Sequence, residues 1–142
     1  MRAYFDTSLI LAILQNESSY AEALGIWTDC VERFSSLLLR IEATISIRRN
    51  FSKSRPSDFS VMEEEESELG KMLSRLNLIP LDNRVSEIVE QEKNLSQCRS
   101  LDAVHLATAL FLQREAGEPF VICSYDARMR EAALGLGFAV LP

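Results

Sequence analysis

The chain has 142 residues, of which 15 are Lys or Arg and 21 are Asp or Glu, for a formal net charge of −6. That length suits one domain over residues 1–142 with a core of its own, and no apolar run approaches the ~20 residues of a membrane span. The acidic balance argues against a protein that coats nucleic acid non-specifically. Local sign is uneven, however: Glu63, Glu64, Glu65, Glu66 and Glu68 form an acidic block, and Arg40, Arg48, Arg49, Lys53 and Arg55 a basic one. An acid at Asp6 falls too early for a signal peptide, so a cytoplasmic location is expected. Cys30, Cys98 and Cys123 are isolated and odd in number, which suits reduced, buried thiols rather than disulfides or a zinc site.

In chain order, Ala3-Tyr4-Phe5 reads as a short strand ending at Asp6, and Thr7 to Leu14 as a helix. Ser19 with Glu22 forms a capping box for a helix that runs through Phe34. The apolar run Leu37-Leu38-Leu39 precedes a helix from about Arg40 to Phe51. Pro56 forces a break, and Ser57 or Ser60 can cap a long helix through the acidic block to Leu76. Leu78-Ile79 is a strand candidate ended by Pro80, and Asp82 can cap a helix from Asn83 to Lys93. The stretch RSLDAVHLATAL opens a helix to about Glu115, closed by Gly117. The residues from Phe120 to Cys123 form a continuous apolar strand of the kind found inside parallel sheets. Asp126 opens a helix to Leu134, and Phe138 to Leu141 is the last strand. Short apolar strands alternating with helices imply a three-layer α/β/α fold around a mostly parallel sheet.

In such sheets, sites form beyond the carboxyl ends of the strands. Asp6 and Asp126 fall there. Glu42 and Asp102 sit near helix starts in apolar surroundings. A buried carboxylate without a partner is costly, and four that converge repel one another. A hard divalent cation such as magnesium or manganese relieves both problems. Each acid also admits a simpler role. Asp6 and Asp126 can be helix caps, and Asp102 a first-turn acid behind a Ser100 cap. Glu42 can lie on a solvated face, paired with Arg40 or another helix residue.

The stretches YFDTSLILAIL, LLLRIEATISIRR, RSLDAVHLATAL and FVICSYDARMREAALGLGFAVL resemble, in that order, the PIN domain, and most of all the VapC-type toxins of prokaryotic toxin–antitoxin pairs. The similarity runs from residue 3 to residue 141, although residues 52–97 share only length and helical character. The resemblance implies a metal-dependent endoribonuclease. It carries over Asp6, Glu42, Asp102 and Asp126 as the acidic cluster for Mg2+ or Mn2+, with Asp6 and Asp102 the more dependable ligands. Ser124 matches a small hydroxyl residue found two positions before the last acid, and Thr7 or Ser8 can support the site in the same way. A homodimer is also implied, and so is a cognate antitoxin that fills a groove beside the acids, often reaching them with a basic residue.

A metal would invert the local charge so that an anionic phosphodiester can approach. Glu42 or Asp126 would then orient the attacking water or help to bind a second ion. His105, the only histidine, shares roughly one helix face with Asp102, but an isolated histidine in an apolar helix reads as structural. Trp27 reads as core or interface, and the acidic block as a solvated face. Arg48 and Arg49 are candidates for RNA contact, or for an ordinary surface or an acidic partner. A haloacid-dehalogenase-type phosphatase needs a second Asp where Ser8 stands. A receiver domain needs a late lysine, absent after Asp102. A catalytically inactive PIN-like scaffold that binds RNA or a protein partner is the alternative from another functional class.

Overall fold

The opening strand β1 (Arg2–Phe5) is buried on both faces, with Ala3, Tyr4 and Phe5 fully covered, and a strand so placed has no polar side to alternate with. The computed structural model describes residues 1–54 and 59–142. After β1 come α1 (Thr7–Leu14), α2 (Tyr20–Asp29), β2 (Glu32–Ser36), α3 (Leu38–Ser54), α4 (Ser60–Leu73), β3 (Asn77–Ile79) and α5 (Asn83–Gln91). A 3-10 turn (Lys93–Gln97), α6 (Ser100–Ala116), β4 (Val121–Cys123), α7 (Ala127–Gly135) and β5 (Ala139–Leu141) complete the described chain. No helix among the described residues is long and apolar enough to cross a membrane.

The five strands lie in the order β3-β2-β1-β4-β5, and all four pairings are parallel. The chain builds outward from β1 on one side and then returns to build outward through β4 on the other. The strand order therefore reverses between β1 and β4, the place where open α/β sheets form a crevice. Alternation along the strands divides the core. Ala3, Phe5 and Cys123 face one layer, packed with Leu9, Trp27, Leu39, Ala43 and Leu73 from α1 to α4. Tyr4 and Ile122 face the other, packed with Ile88, Leu106, Leu110 and Met129 from α5 to α7. The expected three layers are present.

The main departure from the sequence reading is β2. The helix expected to run through Phe34 stops at Asp29, and Glu32–Ser36 forms an internal strand between β1 and β3. Its sequence hides it, because Ser35 and Ser36 are fully buried where an internal strand is normally apolar. Both serines are satisfied, as burial demands. The Ser35 hydroxyl donates to the Phe5 carbonyl at 2.7 Å, and the Ser36 hydroxyl accepts from the Leu38 N–H at 3.1 Å, which starts α3. Arg33 lies over the Trp27 ring, 4.7 Å from its centroid, and Trp27 is in the core against Phe5.

Smaller corrections follow from the caps. Ser19 makes no side-chain cap, and Glu22 accepts the Tyr125 hydroxyl instead of closing a capping box. The apolar run at residues 37–39 is not separate, because α3 begins at Leu38. Ser60 lies inside α4 behind Phe59, and the helix ends at Leu73 rather than Leu76. Arg99, not Ser100, precedes α6 at the cap position. Asp82 caps α5 as expected, but that helix ends at Gln91. The break at Pro56, the Ser57 cap and Arg55 lie outside the described residues. Gly117 closes α6 with φ of 65°, a left-handed turn that glycine adopts without strain.

Candidate active site

Asp6 stands where β1 ends, and its backbone N–H donates to the Cys123 carbonyl at 3.0 Å, so β1 and β4 finish level. Its side chain does cap α1, through Oδ2 and the Ser8 N–H at 3.4 Å. The same oxygen accepts the hydroxyls of Ser8 and Ser124, each at 2.8 Å. Three donors thus fall on one oxygen of a carboxylate that is 8% exposed. Among the described residues no hydrogen bond ends on Oδ1, which lies 3.8 Å from His105 Nε2.

Glu42, on the second turn of α3, shows the same division. Its Oε1 accepts from Thr7 Oγ1 at 2.9 Å and from His105 Nε2 at 2.6 Å, while no bond among the described residues ends on Oε2. The pairing with Arg40 or a helix neighbour does not occur, because the partner comes from α6 across the crevice. Burial pushes the Glu42 carboxyl up, but the hydrogen bonds from His105 and Thr7 and the Arg99 charge act the other way, and the net shift is downward.

Asp102 is on the first turn of α6, and Asp126 caps α7 through Oδ1, which accepts from the N–H groups of Arg128 and Met129 at 2.8 and 3.2 Å. Arg99 joins the two acids. Its Nε donates to Asp102 Oδ2 at 2.7 Å, and its Nη2 to Asp126 Oδ2 at 2.8 Å. Burial pushes the Asp126 carboxyl up, but the Met129 N–H, Arg99 and the Arg128 N–H together leave it below the usual range.

The hydroxyl residues tie these parts together. Ser124 Oγ donates to Asp6 and accepts the Asp126 N–H at 3.1 Å, and Ser8 Oγ accepts the Tyr125 N–H at 2.9 Å. Contacts therefore link all four acids with Thr7, Ser8 and Ser124 near the switch point, as Asp6 and Glu42 around His105 and Asp102 and Asp126 around Arg99, with Ser124 joining Asp6 to Asp126. Among the described residues no three His, Cys, Asp or Glu side chains form a ready metal-holding group, and Arg99 is bonded to both Asp102 and Asp126. The donor set still fits a hard cation: it is all carboxylate, two of its oxygens carry no donor, and Arg99 already bridges two acids with positive charge.

Arg99, Tyr4 and the bonded role of His105 are what sequence reasoning missed. Spacing marks Arg99, three residues before Asp102 and able to reach it on a helix start. Nothing local marks the contact to Asp126. Arg48 is engaged with Glu66 of α4 at 2.6 Å, and Arg49 is exposed. From Asp102 and Arg99 a groove of about 630 Å³ continues past Asn94, Gln97 and Arg128. The cysteines offer no nucleophile: all three thiols are free, and burial pushes that of Cys123 up to about 12.

The family described as PIN domain matches residues 3–134. Among curated proteins, Ribonuclease VapC46 of Mycobacterium tuberculosis is 41% identical over 71 residues, 50% of this chain and 52% of that protein, so the chain matches about half of that relative's length. Ribonuclease VapC35 of the same species is 29% identical over 141 residues, 97% of this chain and 94% of that protein. A solved toxin–antitoxin complex from Klebsiella pneumoniae shares the fold at a TM-score of 0.67 and 18% identity, covering 99% of this chain and 96% of that one. VapBC2 from Rickettsia felis, solved with a DNA fragment from its promoter, shares it at 0.66 and 15%, covering 99% and 98%.

Proposed function

The chain belongs to the PIN domain family, and from that premise we propose that it is a metal-dependent endoribonuclease, the toxin of a toxin–antitoxin pair, which hydrolyses RNA phosphodiester bonds. The names of its relatives as ribonucleases and the toxin–antitoxin complexes of its fold neighbours support the assignment. What carries the chemistry is Asp6, a buried carboxylate with three donors on Oδ2 and none among the described residues on Oδ1. A charge so placed calls for a cation.

Asp6 and Asp102 would be the first ligands for Mg2+ or Mn2+, with Glu42 and Asp126 in support. When bound, the ion supplies positive charge against the phosphodiester and a Lewis acid for its phosphoryl oxygen. The chain's own residues do the rest. Ser8 and Ser124 hold Asp6, Thr7 holds Glu42, and Glu42 or Asp126 orients the attacking water. Arg99, paired with Asp102 and Asp126, would have to release them for those two acids to hold the ion. Arg49 meets the RNA backbone, joined by Arg48 once its exposed pair with Glu66 opens, since such pairs contribute little. The chain works as a single domain over residues 1–142, in the cytoplasm, as a homodimer restrained by a cognate antitoxin.

The test is cleavage of a mixed RNA pool by purified protein with Mg2+, with Mn2+ and with chelator, beside Asp6→Asn. Cutting that needs both metal and Asp6 is the expected result. Binding of RNA without cutting under any condition would replace this reading with that of an inactive scaffold.

A further inference from the structure

His105 is 1% exposed, and both ring nitrogens are bonded. Nδ1 lies 2.8 Å from the Tyr4 hydroxyl, and Nε2 lies 2.6 Å from Glu42 Oε1. Tyr4 is itself fully buried, and its hydroxyl oxygen accepts the Ser36 N–H at 3.0 Å. The chain of donors has one simple direction. Ser36 donates to Tyr4, the Tyr4 hydroxyl donates to Nδ1, and Nε2 carries the imidazole proton and donates it to Glu42. The ring stands at 75° to the Tyr4 ring and is packed among α6 core residues.

Resting on the nuclease reading, we propose that His105 is the positioning residue for Glu42. Its Nε2, with Thr7, fixes Oε1 and reserves Oε2 for the metal or the attacking water, and the Tyr4 hydroxyl fixes the ring that does so. The imidazole neither touches substrate nor moves a proton. Its work is to hold a carboxylate that reaches the crevice on a flexible side chain and would otherwise turn away or offer the wrong oxygen. Outer partners of this kind set ligand orientation, and their loss typically weakens metal affinity or activity about 10- to 100-fold.

Two variants separate the ring's two bonds. Gln places its amide nitrogen near the position of Nε2, and Asn near that of Nδ1. His105→Gln keeps the donor to Glu42, whereas His105→Asn loses it and keeps the neighbour to Tyr4. Mn2+ affinity is read from the free-ion electron paramagnetic resonance signal, and RNA cleavage is split into kcat and KM, with urea unfolding to confirm that each variant folds. His105→Asn should weaken Mn2+ binding and lower kcat by about 10- to 100-fold at similar KM, and His105→Gln should recover most of both. Because this is the only histidine, ¹⁵N nuclear magnetic resonance of the metal-free protein reads its tautomer without ambiguity, and Glu42→Gln should shift the Nε2 proton. A proton on Nδ1 instead, or equal Mn2+ affinity in wild type and both variants, overturns the proposal while leaving the nuclease reading intact. A wild-type protein that neither binds Mn2+ nor cuts RNA removes the nuclease reading and this proposal with it. Should His105→Asn fail to fold, Tyr4→Phe takes its place, with the same loss of Mn2+ affinity expected and wild-type affinity counting against the proposal.

Discussion

At Asp6, and again at Glu42, every donor among the described residues falls on one carboxylate oxygen and leaves the other without one. Ser124 shows how local that control is, because one hydroxyl serves Asp6 as donor and the Asp126 N–H as acceptor. Ser124→Ala should cost about 1–3 kcal/mol in urea unfolding, since it strands polar groups in a buried place. A loss no larger than that of an exposed Ser→Ala change would show that water replaces the hydroxyl. Arg99 behaves as an occupant of the acids Asp102 and Asp126. Arg99→Ala should therefore tighten Mn2+ binding in a calorimetric titration, and weaker binding would make Arg99 a part of the site. The acids were legible in the sequence because carboxylates in apolar surroundings are conspicuous. Arg99 and Tyr4 were not, since arginine before a helix and tyrosine in a strand are ordinary until the fold brings their partners near.

Among the elements, those with apolar strands or strong caps were legible. β1, β3, β4 and β5 appear close to their expected places, as do α1, α6 and α7. β2 was not, because its burial is satisfied by serine hydroxyls bonded to neighbouring backbone rather than by apolar side chains. No local pattern announces that arrangement. The cap of α5 gives a pH-dependent test. The Asp82 carboxyl is held below its usual value chiefly by the Arg84 side chain, with the Arg84 N–H adding to it. A lowered folded value means that stability is fully present above the unfolded value, near pH 4, and is lost as pH falls through the folded one. Asp82→Ala should accordingly lower the melting temperature slightly at pH 7, with the gap closing in acid. A gap independent of pH would assign the effect to the backbone rather than to the charge.

For the molecule as a whole, the strand order explains why residues so far apart in sequence share a crevice. β1 and β4 are neighbours at the reversal point, and their ends bring Asp6, Ser124 and Asp126 together, while α3 and α6 deliver Glu42 and Asp102 from opposite layers. A net charge of −6 says little about such a place, where local sign decides what can enter. The most direct test is a crystal structure of the protein with Mn2+, read by the anomalous scattering of manganese. A peak is expected at bonding distance, roughly 2.0–2.3 Å by analogy with small hard cations, from Asp6 Oδ1 and an Asp102 oxygen, with Arg99 withdrawn from both of its acids. Arg99 still bridging Asp102 and Asp126, with no manganese beside Asp6 at a concentration that supports RNA cleavage, would contradict it.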